Sequence, residues 1–339
     1  LVISLAFLEF AMRLVQRPLL ERLEAQEEIL TGAREVHPKG MYEMVSDHQW
    51  RLTPLFDGRF IKDDFDVRVR ANQEGIREQA VGKKNADVVR ILGLGDSFAF
   101  GWGVELEESF YKRLEVHLQS QRRNVQVINA GVPGYGTFES RQMMESLLDI
   151  YQPDSVMLAF YEGNDFKNNR QAPRKRKIDE GYLKDVRSES VASWSRFLKQ
   201  KSVVWNVITQ KVGSFFEKRK KGIALQKTKQ QLTEMKGLLE KRGIGLALVW
   251  IPDQDPFVYT RSRWLKAYDR LASPITPERA KDEIKEFCAN NQISFFSLSS
   301  LFEDDPEAKH LRLKDTHFNK RGHALAAEEM VRFAKEWLS

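Results

Sequence analysis

The chain has 339 residues, 42% apolar and 30% charged, which excludes a disordered polymer and leaves room for one substantial core with additions or two modest domains. Its net charge is +6, with the excess in two runs, Arg170 to Lys177 and Lys218 to Lys221; no aromatic-interleaved basic stripe or nucleic-acid module accompanies them, so no nucleic-acid partner is expected. The single cysteine, Cys288, excludes an intrachain disulfide.

Leu1 to Val15 is apolar except for Ser4, Glu9 and Arg13, too short and too interrupted for a bilayer span of about 20 residues. Residues 1–18, which open without Met, read either as the trailing half of a membrane anchor or as an amphipathic helix docked on the domain. Residues 19–85 form an extension. It starts with a solvated helix over Leu19 to Gly32 and irregular structure over Glu35 to Asp64, where Pro38, Gly40, Pro54 and Gly58 fall. A half-exposed strand over Phe65 to Ala71 and a turn at Asn72 to Gly75 complete it.

A domain is expected over 86–339. Val88 to Leu94 is a nearly continuous apolar run, suited to a parallel strand covered on both faces, and it stops at Gly95-Asp96-Ser97. A helix over Glu107 to Ser120, a strand over Val125 to Ile128 and a glycine-rich loop, Asn129 to Gly136, follow. Next come a helix over Thr137 to Tyr151 and a strand over Ser155 to Tyr161 that ends at Gly163-Asn164-Asp165. The stretch from Lys167 to about Lys241 breaks the rhythm as a basic insertion, helical in pattern, with Trp194, Phe197 and Leu198 and then Leu232, Met235, Leu238 and Leu239 spaced for one face. Regularity returns with a strand over Ile244 to Ile251, a helix over Pro277 to Asn290, a strand over Ile293 to Phe296 and a last helix over Lys320 to Leu338. This alternation predicts an α/β fold, a three-layer doubly wound sheet of about five parallel strands. Ser97 then lies at the carboxyl end of a strand and before a helix, where open α/β sheets place their ligands.

Alone, Gly-Asp-Ser is ordinary turn chemistry. A dinucleotide fingerprint fails, because Phe98 stands where the third glycine of GxGxxG belongs and no GK[ST] follows. Four blocks in order, however, resemble the SGNH, or GDSL-type, hydrolase family. They are Gly95-Asp96-Ser97, Gly131 within Asn129 to Gly136, Gly163-Asn164-Asp165, and Asp315-Thr316-His317. The resemblance implies a serine esterase working through an acyl-serine intermediate, with Ser97 as nucleophile, His317 as base and Asp315 as the residue that fixes the imidazole tautomer. It nominates the backbone N–H groups of Ser97 and Gly131 and the side-chain amide of Asn164 as oxyanion donors.

The Asp-x-His spacing departs from the family's common Asp-x-x-His and is similar to that of bacterial polysaccharide O-acetyltransferases. Acyl transfer to a sugar hydroxyl is therefore the alternative to hydrolysis, and Asp304 or Asp305 the alternative partner for His317. A non-catalytic glycan-binding protein on the same fold is the rival of another class. His37, His48, His117 and His310 have no metal-ligand spacing such as HExxH, and neither a metal nor a cofactor is expected. His323 reads as a hydrogen-bonded packing residue, and Trp102, Tyr135, Phe166 and Phe318 as packed aromatics or pocket lining. The expected partner is an acyl ester of an envelope glycan or lipid, together with a membrane if 1–18 is an anchor. The expected location is outside the cytoplasmic membrane, with the cytoplasm as the other possibility.

Overall fold

The computed structural model describes residues 37–121, 124–186, 203–253, 277–302 and 309–338. The apolar segment 1–18, the helix expected over Leu19 to Gly32, the apolar face at Trp194, Phe197 and Leu198, and both Asp304 and Asp305 lie outside them. From residue 37 to 64 the chain is not irregular, as its prolines and glycines suggest, but forms most of two antiparallel hairpins. Strand β1 (Tyr42–Ser46) pairs with β2 (Gln49–Leu52), and β3 (Asp57–Lys62) with β4 (Phe65–Arg70). Pro38, Gly40 and Pro54 fall outside the strands, where a missing donor costs no ladder bond. Burial alternates along β4: Phe65, Val67 and Val69 face inward while Asp66, Arg68 and Arg70 face water. The turn after β4 forms as expected, with Asn72 Oδ1 accepting from the N–H groups of Glu74 and Ile76.

The remaining strands are β5 (Val89–Leu94), β6 (Val125–Asn129), β7 (Ser155–Tyr161), a short hairpin of β8 (Arg176–Asp179) and β9 (Tyr182–Asp185), β10 (Gly245–Ile251) and β11 (Ser294–Ser297). Five of them form one sheet in the order β11-β10-β7-β5-β6, parallel at every pairing. Side chains alternate between two cores, as strand geometry requires. Leu92, Val156, Leu158 and Phe160 enter one core; Ile91, Met157 and Ala159 enter the other. This is the expected doubly wound α/β sheet.

Helices cover both faces. They are α1 (Ser97–Phe100), α2 (Phe110–Ser120), α3 (Thr137–Tyr151), α4 (Asp165–Gln171), α5 (Val203–Glu240), α6 (Pro277–Asn290) and α7 (Lys320–Trp337). On one face α2 and α7 share a core through Leu114, Leu118, Ala326, Ala327 and Met330. On the other, α3 and the carboxyl half of α5 pack with the front hairpins. The insertion is thus not wholly helical, since the basic run Arg170 to Lys177 ends inside the β8–β9 hairpin. The apolar face expected on α5 is present, with Leu232, Met235 and Leu239 fully buried and Leu238 packed against them. Among the described residues no helix is long and apolar enough to cross a membrane.

One buried cation fastens the front of the chain to the sheet. Arg77 is fully buried and donates to the carbonyls of Phe100 (3.1 Å), Gly101 (2.8 Å), Arg68 (3.0 Å) and Val104 (2.9 Å). Burial lowers its guanidinium to about 10, against the opposing charges of Glu105, Glu107 and Glu108, so it stays charged at neutral pH. Three of its partners are at the end of α1, the helix that Ser97 opens, and just beyond it; the fourth is on β4. Arg77→Met leaves these buried carbonyls without their donor and is expected to cost about 3 kcal/mol or more in denaturant unfolding.

Candidate active site

Leu92 and Leu94 carry β5 through the core, and the chain turns at Gly95 into the single turn of α1. Asp96 caps that turn, its Oδ1 accepting from Phe98 N at 2.9 Å. Ser97, only 6% exposed, opens α1 at the carboxyl end of β5. In the sheet order, β5 lies between β6 and β7, where the connection reverses direction, and open α/β folds bind ligands at this switch point.

His317 comes from the far end of the chain. It sits in the turn before α7, and Asn319 caps that helix by accepting from Arg321 N and Gly322 N, both at 3.0 Å. Its Nε2 lies 2.8 Å from Ser97 Oγ and its Nδ1 lies 3.0 Å from Asp315 Oδ1. A carboxylate only accepts, so Nδ1 carries the proton and the neutral ring's Nε2 accepts from the serine hydroxyl. Trp102 stacks on the imidazole, with centroids 4.9 Å apart and planes 19° apart, while Phe98 lies on its other neighbouring contact at 5.1 Å. The same Trp102 donates Nε1–H to Asp315 Oδ2 at 2.8 Å, and Lys62 Nζ approaches that oxygen at 3.3 Å. Burial would raise the Asp315 carboxyl, but the hydrogen bond and charge of His317, the charge of Lys62 and the Trp102 N–H outweigh it and hold the group well below the usual carboxylate range.

With one residue between them, Asp315 and His317 turn their side chains to one side through an unusual backbone. Thr316 has φ +75°, a left-handed conformation that a β-branched residue adopts only when its surroundings impose it. Here Thr316 N donates to Leu313 O (3.0 Å), Leu313 N donates to His317 O (2.8 Å), and Arg312 Nη1 donates to Thr316 O (3.2 Å).

Asn164 also reaches the site, from the end of β7. Its Nδ2 donates to Asp96 Oδ2 at 2.7 Å, which orients the amide. Burial, opposed by the hydrogen bonds from Phe98 N and Asn164, raises the Asp96 carboxyl; burial and the neighbouring Asp96 charge raise that of Asp165 well above the usual range. Asp165 accepts from Tyr161 N at 2.8 Å and so pins the loop that holds Asn164.

Gly131 does not join these groups. Its N–H is donated to Asn129 Oδ1 at 3.0 Å, and a Cβ at this position would lie 2.4 Å from Phe100 N. The glycine therefore lets the loop pack against α1, a steric role. Gly134, three residues on, has φ +80° and lines the cleft with Ser97, His317, Trp102, Asn164 and Arg174. This cleft has a volume of about 250 Å³. A larger one, about 680 Å³, lies between β4 and the Glu105 to Glu107 turn, and its lining has no serine, cysteine or histidine to supply a nucleophile and base. Among the described residues no group of three His, Cys, Asp or Glu side chains is placed to hold a metal ion.

A parallel α/β sheet that presents a serine to a histidine and a carboxylate at its switch point defines an SGNH-type serine hydrolase. A model of the GDSL-like Lipase/Acylhydrolase family matches residues 94–325, and the chain belongs to that family. No curated protein matches the chain by sequence. Among solved structures it is similar to the psychrotrophic esterase EstA from Pseudoalteromonas sp., at 16% identity over 74% of this chain and 98% of that one, with a TM-score of 0.44. It is similar to TesA at 13% identity over 73% and 98% (TM-score 0.45), and to the lipase/acylhydrolase from Enterococcus faecalis at 17% identity over 73% and 96% (TM-score 0.43).

His323 lies behind the site, 1% exposed, its Nδ1 accepting from Phe110 N at 3.3 Å. Burial, with the charges of His317, Arg77 and Arg113, lowers its imidazole to about 3. The unfolded chain protonates this residue near pH 6.5 while the folded protein resists until about pH 3, so stability is lost as pH falls through that window. His323→Gln is expected to flatten the slope of melting temperature against pH between these values, whatever its effect at pH 8.

Proposed function

We propose that Ser97 is the nucleophile of an esterase that acts through an acyl-serine intermediate, with His317 as general base and Asp315 as its partner. The 2.8 Å contact between Ser97 Oγ and His317 Nε2 carries this reading. As Oγ attacks the ester carbonyl, its proton passes to Nε2, and the imidazolium that forms is stabilised by Asp315. The tetrahedral oxyanion takes hydrogen bonds from Ser97 N–H, the Asn164 amide and, in place of Gly131, Gly134 N–H. The position of Gly134 in the cleft supports that exchange. Each such donor is worth about 3 kcal/mol of barrier, or about 100-fold and more in rate. The imidazolium then returns its proton to the leaving alcohol, and water resolves the acyl-serine by the same base.

The Asp315-Thr316-His317 spacing supports a second reading, in which a sugar hydroxyl of a surface glycan resolves the intermediate and the protein is an O-acyltransferase. The small cleft favours a short acyl group over a long chain. The apolar segment ahead of the domain supports a site outside the cytoplasmic membrane, on an envelope glycan or lipid; fractionation of cells expressing the full-length gene tests it, and a wholly soluble product rejects the anchor.

The nucleophile is tested by fluorophosphonate labelling, which the parent protein is expected to accept and Ser97→Ala to refuse; equal labelling of both removes Ser97 from the role. In p-nitrophenyl acetate hydrolysis, Asp315→Asn is expected to lower kcat about 1,000-fold or more, because the wrong tautomer of His317 is then favoured. Released acid against acylated sugar, followed by mass spectrometry on a panel of acetylated glycans, separates hydrolysis from transfer.

A further inference from the structure

We propose that Lys62 is a positioning residue for Asp315, which makes the β3–β4 hairpin of the front extension a working part of the active site. The proposal rests on the serine-esterase reading above and adds a residue from outside the stretch matched by the family, 94–325.

Asp315 divides its two oxygens between two tasks. Oδ1 faces His317 Nδ1 at 3.0 Å, while Oδ2 takes Trp102 Nε1–H at 2.8 Å and the Lys62 ammonium at 3.3 Å. Lys62 is not a free surface lysine. Its side chain is only 16% exposed, and its Nζ stands 4.9 Å from the centroid of the Trp102 ring that stacks on His317. Two residues on, at the hairpin tip, Asp64 Oδ2 accepts from Lys314 N at 2.7 Å, so the tip grips the catalytic turn at two successive residues. The hairpin is itself firmly based: β3 and β4 pair from Asp57↔Arg70 to Lys62↔Phe65, and Phe60 packs edge-on against Trp102 with centroids 4.7 Å apart. An ion pair on such a base, largely withdrawn from water, is screened less than one between mobile surface groups.

The consequence is electrostatic and geometric. A cation against Oδ2 keeps the carboxylate ionised and turned so that Oδ1 faces the imidazole. It also opposes, from a short distance, the positive charge that His317 acquires when it takes the serine proton. The charged groups around Asp315 are His317 on its own turn and Lys62 from β3; Arg312 on the same turn donates to Thr316 O, Asp64 is bound to Lys314 N, and Asp96 acts on His317 from the Ser97 side. Lys62 is not among the residues that line the cleft.

The test uses the full chain, with Lys62→Met, Lys62→Gln and Lys62→Arg, and measures fluorophosphonate labelling, p-nitrophenyl acetate hydrolysis across pH and melting temperature. Met and Gln are expected to lower kcat about tenfold or more with KM within about twofold, and to move the acid limb of the pH–rate profile to higher pH, since no cation then opposes protonation of the base. Arg is expected to restore most of kcat and the parent profile. The proposal is overturned if Met stays within about twofold of the parent at every pH, or if Arg loses as much as Met while melting temperature falls in parallel, which marks a packing role. If the parent itself is neither labelled nor active, the esterase reading falls and this one with it; an active parent beside an indifferent Lys62 removes this one alone.

Discussion

A single hydrogen bond of 2.8 Å joins Ser97 Oγ to His317 Nε2 across 220 positions of sequence, and the fold has to deliver its two ends to the same point. One end is set by β5 and the capped turn of α1. The other is set by α7, which can lie close to the sheet because Ala326, Ala327 and Ala334 turn small side chains to the core. Helix packing distances depend on the side chains at the contact, so these alanines help to fix where the histidine starts. The aromatic wall then fixes its ring, with Trp102 stacked on one side and tied to the same carboxylate that the imidazole addresses.

Around that bond the protein keeps an unusual amount of polarity out of water. Asp96 and Asp165 are both buried, and their carboxyls are satisfied by backbone N–H groups and by the Asn164 amide. A buried polar group costs little when it is hydrogen-bonded and a great deal when it is not. Through this network Asn164 is oriented, its amide donating to Asp96.

The central domain could be read from the sequence because its signals are local and strong. Val88 to Leu94, Ser155 to Tyr161 and Ile244 to Ile251 are apolar enough to declare buried parallel strands, and the polar residues that end them fall at the sheet edge by topology alone. Of the front hairpins β4 declared itself by its alternation, while β1, β2 and β3 escaped because they are only 4 to 6 residues long and Pro38, Gly40 and Pro54 crowd their ends. The loop Asn129 to Gly136 was legible as a glycine-rich loop at the strand end, but not which glycine faces the cleft. Gly131 packs on α1 with its N–H bonded to Asn129, whereas Gly134, with a positive φ, lines the cleft. Lys62 carried no signal, since nothing in a lysine at a hairpin tip announces a partner 253 residues away.

The left-handed backbone at Thr316 has a consequence for how this chain tolerates change. For residues with a Cβ this conformation costs about 1–2 kcal/mol, and three hydrogen bonds from the surrounding loop sustain it. Asparagine or glycine would sit there with less strain, so a lineage selected for heat tolerance alone would drift toward them. The distance between Asp315 and His317 thus depends on a backbone shape that the loop's hydrogen bonds impose and the threonine itself disfavours.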